Sequence, residues 1–181
     1  MRGNFAIYLL DTSVFIDLKK RYPEDCFLTL WNNIRELARA GRVRIHEKVF
    51  TELKDYSKKD EAYKFAEELR KCRKDVFAPM TGYQLNRIPE ILDMLRRVKG
   101  HRAQQFRDIA DDWEENDAAD VYLIACALEN MDNPSIDEWA GIRRTILIAT
   151  EDRGLRKSAK EVFGLGSVTL VDLMRAEGWT F

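Results

Sequence analysis

FAIYLLDTSVFID, the segment from Phe5 to Asp17, sets the organisation of the whole chain. Its first six residues, Phe5 to Leu10, carry no charge. An apolar run of this length is typical of a strand buried on both faces, and it is too short for a membrane span or a signal peptide. Ligands of an open parallel sheet gather outside the carboxyl ends of its strands, so Asp11, which follows this run, is a candidate site residue. The alternative is that Asp11 only caps a helix beginning near Val14, because Asp, Thr and Ser are all good N-caps.

Length and composition limit the class of protein. With 181 residues, of which 45% are hydrophobic and 34% charged, the chain can form one compact domain with its own core and needs no disulfide or structural metal. The 30 basic and 31 acidic residues nearly cancel, so net charge neither favours nor excludes nucleic-acid binding, which would depend on a local patch. We expect a cytoplasmic protein that does not associate with a membrane.

The cysteine and histidine content limits the kinds of disulfide, metal site and catalytic site that the chain can form. The three cysteines, Cys26, Cys72 and Cys126, are odd in number and widely spaced, which indicates reduced thiols in a cytosolic protein and not a disulfide framework. The chain has no CxxC motif, and His46 and His101 are its only histidines. We therefore expect neither a zinc site nor a catalytic triad built on histidine.

Strand and helix patterns alternate through the rest of the chain. Short apolar runs predict strands at Val43–Ile45, Val76–Ala78, Thr145–Ala149 and Ser167–Leu170. Helical spacing predicts a helix that starts at Tyr22–Asp25 and stops at Gly41, and further helices around Val49–Leu53, Ala62–Cys72, Ile88–Val98, Phe106–Trp113, Asp117–Asn130, Leu155–Val162 and Val171–Ala176. The polar stretch Asp132–Arg144 predicts a surface loop. This alternation implies an α/β fold, a single domain over residues 1–181 with three layers (α/β/α) and a mainly parallel sheet of about five strands.

Acidic residues stand at the ends of the two most apolar strands. Asp11 follows the first, and Thr150-Glu151-Asp152 follows the strand Thr145–Ala149. Because parallel strands point the same way, these acids should converge on one edge of the sheet. The ordinary explanation for Asp152 is that it caps the next helix.

Further acids belong to the helices. Glu52 is a polar residue between Phe50 and Leu53, and taken alone it would be a surface residue of a short helix. Asp117 and Asp120 lie three positions apart near the start of a helix, so they share neighbouring faces. Acids at a helix start also complement the helix dipole, which is the ordinary explanation for this pair.

Several carboxylates at one sheet edge would require a cation. Two carboxylates about 4 Å apart repel by roughly 4 kcal/mol at an effective dielectric constant near 20, so a cluster of three or four persists mainly by binding a divalent ion. Oxygen ligands without His or Cys favour Mg²⁺ or Mn²⁺. Such a centre supports attack of a metal-activated water on a phosphodiester.

The chain contains, in this order, the segments LLDTSVFIDL, VFTEL, NDAADVYLIACA and ILIATEDRGL. They resemble the PIN domain, the fold of ribonucleases that act as toxins in bacterial and archaeal toxin-antitoxin pairs, and the match extends over nearly the whole chain. The resemblance implies that Asp11, Glu52, Asp120 and Asp152 are the catalytic, metal-binding acids. The chain departs from the compact toxins in the 67 residues that separate Glu52 from Asp120.

The resemblance also suggests supporting roles around these acids. Ser13 or Thr150 would orient acids or water, Asp117 could assist Asp120, and Glu151 could replace Asp152 as the fourth acid. Two basic residues, Arg153 and Lys157, follow Asp152 on the expected site edge and are candidates for phosphate contacts.

The leading functional hypothesis is a Mg²⁺- or Mn²⁺-dependent endoribonuclease, the toxin of a pair inhibited by a small antitoxin protein. The alternative is a catalytically weak PIN-like module that binds RNA or a protein. A haloacid-dehalogenase-type phosphatase needs an Asp where this chain has Ser13, and a receiver domain needs a Lys near Thr150, so neither fits. The resemblance and the apolar helix stripes favour a homodimer, while the RNA target, the antitoxin and the number of metal ions stay open.

Overall fold

Strand β1 (Phe5–Leu10) is the centre of the computed structural model, which describes residues 5–57, 60–133 and 144–179. The other strands within these ranges are β2 (Val43–His46), β3 (Phe77–Ala78), β4 (Arg144–Ala149) and β5 (Gly166–Val168). They form one sheet of order β3-β2-β1-β4-β5, in which each neighbouring pair is parallel. Leu10 at the end of β1 lies opposite Ile45 on one side and Ala149 on the other. The predicted α/β fold with a parallel sheet of about five strands is confirmed.

Helices cover both faces of this sheet. In the described ranges they are α1 (Thr12–Arg21), α2 (Leu28–Arg39), α3 (Glu47–Ser57), α4 (Glu61–Cys72), α5 (Gly82–Arg97), α6 (Ala103–Asn116), α7 (Ala119–Asp132), α8 (Arg153–Phe163) and α9 (Leu170–Ala176). Helix α4 contacts α1, α2 and α3, whereas α5, α6, α7 and α8 contact one another, which gives the three-layer architecture. None of the helices described has the length and apolar character required to cross a membrane.

The burial of β1 and α7 limits the positions at which polar side chains can lie. Ile7 to Leu10 expose at most 3% of their surface, as expected for a strand covered on both faces. Helix α7 has eight buried residues, seven of them consecutive from Val121 to Ala127, and it contacts both β2 and β4. Any polar side chain at the start of α7 is therefore brought close to the sheet edge and away from bulk water.

Two boundaries differ from the sequence prediction, and a third segment cannot be compared with it. The predicted helix start at Tyr22–Asp25 is wrong, because the amides of Cys26 and Phe27 donate to the carbonyl of Pro23 in a turn and α2 begins only at Leu28. The last strand ends at Val168, since Thr169 and Asp172 form a capping box that starts α9 at Leu170. Of the predicted loop Asp132–Arg144, residues 134–143 lie outside the described residues.

Candidate functional site

The carboxyl ends of β1 and β4 form the crevice of the sheet. From β1 the chain passes to β2 on one side, and after β3 it returns to β4 on the other. Adjacent strands whose connections leave in opposite directions open a crevice at their carboxyl ends, where ligands of α/β sheets bind. Asp11 and Thr150 are the first residues beyond these two strands, and the Asp11 amide donates to the carbonyl of Ala149 at 3.0 Å.

Asp11 is a buried carboxylate with three hydrogen bonds. It is 4% exposed. One oxygen accepts the hydroxyls of Ser13 at 2.6 Å and Thr150 at 2.7 Å, and the other accepts the Thr12 amide at 2.6 Å. Burial raises the pKa of Asp11, and the bonds from Ser13, Thr150 and Thr12 oppose that rise. Asp11 is also the N-cap of α1, so the cap and the site position coincide in one residue.

Ser13 and Thr150 connect the two loops that follow β1 and β4. The Ser13 hydroxyl accepts the Glu151 amide at 2.9 Å, and the Thr150 hydroxyl accepts the Asp152 amide at 3.0 Å. Both hydroxyls donate to Asp11 at the same time. They therefore fix the Asp11 carboxylate relative to the backbone that carries Asp152.

Glu52 connects α3 to the starts of α1 and α7. One of its oxygens accepts the Thr12 hydroxyl, and the other accepts the Ala119 amide at 2.6 Å. Burial raises the pKa of Glu52, and the charge of Asp11 adds to the effect. Glu52 is thus a half-buried carboxylate facing the same edge as Asp11, and not a surface residue of its helix.

Asp120, in the first turn of α7, is the least compensated acid of the group. Burial raises its pKa well above the usual range, and the charges of Asp11, Asp152, Glu52 and Asp112 raise it further. Its carboxylate accepts no hydrogen bond from the part of the chain that the structure describes. A half-buried carboxylate surrounded by like charges and without donors is the electrostatic signature of a cation site.

The carboxylates of Asp152 and Glu151 have different hydrogen-bond partners. Asp152 caps α8 by accepting the Leu155 amide at 2.7 Å, and it lines a cavity of about 440 Å³ together with Asp120. Glu151 instead accepts the Leu170 amide at 2.7 Å, at the start of α9. Of the two candidates for the fourth acid, Asp152 is the one that shares a cavity with Asp120.

A second cavity, of about 540 Å³, lies on the Glu52 side and is lined by Thr12, Lys48, Glu52 and Asp117 among others. Asp112 of α6 lines both cavities. Asp117, a non-glycine residue in left-handed conformation with φ of 54°, is engaged by the Lys48 ammonium and the Tyr122 hydroxyl. Asp117 is thus three residues from Asp120 in sequence but is paired with Lys48.

The two candidate phosphate-binding residues differ in position. Arg153 is exposed and lines the 440 Å³ cavity with Asp120 and Asp152. The Lys157 ammonium donates to the Gln105 amide oxygen of α6 at 3.4 Å. Arg153 therefore lines the cavity. Lys157 does not line it but contacts Gln105, which does.

Sequence comparison gives one family for the chain. Residues 8–181 match the model of a family described as a domain of unknown function, DUF4411. The chain belongs to this family. No curated protein gives a significant match.

The donor set of this DUF4411 domain has the chemistry that a hard divalent cation requires. Asp11, Glu52, Asp120 and Asp152 offer carboxylate oxygens, with hydroxyls of Ser13 and Thr150 behind them, and Mg²⁺ or Mn²⁺ prefers oxygen ligands. Among the described residues, however, no three acidic, histidine or cysteine side chains are arranged to hold an ion as they stand. Oxygens of Asp11 and Glu52 are occupied by protein hydrogen bonds, so a cation would have to share or displace those bonds.

Lys48 and Asp112 are two of the cavity-lining residues that sequence reasoning missed. Lys48 lies four positions before Glu52 on α3, and this spacing on one helix face could have indicated it. Asp112 had no such signal, because it is one of five acids in α6 and most acids on an amphipathic helix face solvent.

Proposed function

We propose that this protein is a Mg²⁺- or Mn²⁺-dependent endoribonuclease of the PIN type. The observation that carries the proposal is the environment of Asp120, whose pKa is raised by burial and by three further acids of the predicted set, Asp11, Asp152 and Glu52. These residues come from four separate segments of the chain. Asp11 and Asp152 also cap helices, but the mutual repulsion of the four acids costs free energy unless a cation neutralises it.

Each residue of the centre has a distinct role in this proposal. Asp120, which accepts no hydrogen bond from the described residues, is the primary ligand for the cation. Asp11 is held in place by Ser13 and Thr150 and adds a second carboxylate of fixed orientation. Glu52 and Asp152 complete the set from the two cavities. When bound, the metal would activate water and polarise the scissile phosphate.

Arg153 and Lys157 are the proposed phosphate contacts. The Arg153 side chain is exposed at the cavity of Asp120 and Asp152, where a guanidinium can bind phosphate oxygens in a bidentate manner. Lys157 lies one turn further along α8. They compensate the negative charge that the acids present to an RNA strand.

The proposed partners follow from the resemblance to PIN-domain toxins. They are an RNA substrate, a small antitoxin protein that blocks the centre, and a second copy of the chain. The toxin role extends the nuclease proposal, and the nuclease proposal does not depend on it.

Conservative substitutions of the acids test the nuclease proposal. Asp11→Asn and Asp120→Asn keep size and remove the charge that holds the cation, so we expect each to reduce Mn²⁺-dependent cleavage of a mixed RNA pool to background. The NH2 group of an Asn at position 11 cannot accept a hydrogen bond, so Asp11→Asn loses part of its bonding to Thr12, Ser13 and Thr150 and is compared at equal folded concentration, whereas Asp120→Asn breaks no hydrogen bond among the described residues. The matched control is Asp111→Asn, an exposed acid on α6 that lines neither cavity, and it should cleave like wild type. Equal cleavage by all four proteins would refute the assignment of the site.

One observation favours the alternative of a catalytically weak binding module. Oxygens of Asp11 and Glu52 already accept hydrogen bonds from the protein, as expected of acids that only stabilise the fold. In that case wild type would cleave no RNA under any divalent cation, and both Asp→Asn variants would bind RNA or protein partners as wild type does.

A further inference from the structure

Lys48 is a cation beside the candidate centre that has no part in the proposal above. It lies in the first turn of α3, directly after the carboxyl end of β2, four residues before Glu52. Side chains at positions i and i+4 lie on the same helix face, about 6 Å apart along the axis. Lys48 and Glu52 accordingly line the same 540 Å³ cavity.

This cavity is strongly acidic. Besides Glu52 it is lined by Asp55, Asp112 and Asp117, and Lys48 is the one cation among the described residues of its wall. A phosphodiester strand that enters on this side therefore meets several like charges. Lys48 is the group available there to attract it.

Neighbouring side chains fix the position of the Lys48 ammonium. It pairs with Asp117 and lies 4.9 Å from the centroid of the Tyr122 ring. Tyr122 in turn donates its hydroxyl to Asp117 and stacks on the imidazole of His46, with ring centroids 5.8 Å apart. The amide of Lys48 also donates to His46 Nδ1 at 3.2 Å. The ammonium is therefore held at the cavity before any substrate arrives.

Another anion can replace Asp117 as the partner of the Lys48 ammonium. The Asp117 side chain is 55% exposed and that of Lys48 is 23% exposed, so solvent reaches the pair from the Asp117 side, and ion pairs with an exposed partner contribute little to stability. A phosphate oxygen is an acceptor of the same charge sign and can take the place of the carboxylate at small cost.

We propose that Lys48 binds a backbone phosphate of the RNA strand on the Glu52 side of the centre, where the phosphate replaces Asp117 as its partner. This inference rests on the proposed function and assigns the part of the substrate that this cavity receives. Lys48 is then a substrate-binding residue, and Asp117 is a positioning residue that holds the ammonium in the absence of RNA. With Arg153 and Lys157 on the side of the other cavity, the strand is held by cations on both sides of the acids.

The test compares Lys48→Gln, Lys48→Arg and the matched control Lys54→Gln. Lys54 is on the same helix, is exposed and does not line the cavity. The probe is a fluorescein-labelled, single-stranded oligouridine RNA. Cleavage with Mn²⁺ gives kcat and KM, and anisotropy in an Asp120→Asn background gives the affinity for the intact strand at several salt concentrations.

Loss of one charged phosphate contact predicts a specific pattern. Lys48→Gln should weaken binding and raise KM about tenfold, with little change in kcat. It should also make the slope of log K against log salt shallower by about 0.7, the value for one phosphate of a single strand. Lys48→Arg should restore the slope, and Lys54→Gln should leave it unchanged. Asp117→Asn removes the competing charge and should tighten binding.

The outcomes separate this inference from the nuclease proposal. If the protein cleaves RNA and Lys48→Gln behaves like Lys54→Gln, the phosphate contact is refuted and the nuclease proposal stands. If nothing cleaves but the slope still falls in Lys48→Gln, the nuclease proposal fails and the contact stands. Equal or weaker binding by Asp117→Asn refutes the exchange, and the absence of RNA binding by wild type refutes both proposals.

Discussion

The acids of the centre differ in how each is held, and this difference sets the role of each residue. Asp11 has three hydrogen bonds and Glu52 has two, whereas Asp120 accepts none from the described chain. The bonded carboxylates have well-defined positions, and the unbonded one has the strongest need for a counter-charge. We therefore expect Asp120 to dominate cation affinity and Asp11 to dominate cation placement.

The absence of a side chain at Gly154 leaves room for the Asp152 carboxylate. A Cβ at Gly154 would lie 2.9 Å from Asp152 Oδ1, so Gly154→Ala should displace that carboxylate and lower Mn²⁺-dependent cleavage. The melting temperature should change little, because the gain of about 1 kcal/mol from Ala in a helix offsets the loss of a cap of similar value. Cleavage rates and melts of the variant measure both effects.

Gly82→Ala is the control for this experiment, since a Cβ at Gly82 meets nothing within 4 Å. It should be as active as wild type. Full activity of Gly154→Ala would mean that the position of Asp152 is unimportant for cleavage.

At the scale of residues, the sequence was informative where an acid broke an apolar pattern. Asp11 and Asp152 stood out because they end charge-free strands, and Glu52 because it interrupts an apolar helix face. Asp112 and Gln105 reach the site from α6, inside the 67 residues that separate Glu52 from Asp120. Nothing in the local pattern of α6 indicates which of its polar residues face the sheet edge.

At the scale of elements, Glu177 attaches the end of α9 to the other end of the sheet. Its carboxylate accepts the Tyr8 hydroxyl at 2.5 Å and both terminal nitrogens of Arg42 at 2.6 and 2.5 Å. Arg42 precedes β2 and also donates to the carbonyl of Ala6 at 3.0 Å. This cluster joins β1, β2 and α9 and includes none of the acids of the centre.

Glu177→Gln should therefore lower stability without affecting cleavage. We expect the free energy of unfolding at neutral pH to fall by about 1–3 kcal/mol, because the half-buried Arg42 and the buried Tyr8 lose a charged partner. Glu161→Gln, which removes an exposed ion pair with Arg102, should cost less than about 1 kcal/mol. Denaturant titrations of the two variants give the comparison.

The pH dependence of this difference has a definite sign. Burial raises the pKa of Glu177, but the bonds from Arg42 and Tyr8 lower it by more, so its pKa lies below the ordinary value. The stabilisation is then complete above the unfolded pKa of about 4.3 and is lost as the pH falls through the folded pKa. The gap between wild type and Glu177→Gln should close in that acid range, and a gap independent of pH would show that charge is not its cause.

The type and order of the elements could be predicted, because the spacing of apolar residues in each segment matches the period of a helix or of a strand. The ends of elements were harder. Pro23 followed by acids is a typical helix start, yet the turn closed by Pro23 delays α2 to Leu28. The capping box of Thr169 and Asp172 could be recognised in the sequence. It would have placed the end of the last strand before Thr169.

At the scale of the whole molecule, a bound cation should stabilise the fold. Mn²⁺ at about 100 times its Kd should add roughly 2.7 kcal/mol to the free energy of unfolding, because it relieves the repulsion among Asp11, Glu52, Asp120 and Asp152. Thermal melts in EDTA and in Mn²⁺ measure the shift. Asp120→Asn should abolish most of it, and coincident wild-type midpoints would contradict a metal centre.

The hydrogen bond between Thr150 and Asp11 joins residues that are 139 positions apart. On a ribosome, the loop that carries Asp11 emerges first, whereas Thr150 and Asp152 emerge only after β4, the strand that completes the pairing of β1. Long-range pairing of this kind forms late, when its last segment is available. In a nascent chain Asp11 therefore lacks its partner Thr150 until β4 has been made, so the cluster of acids around Asp11 assembles only after that strand pairs with β1.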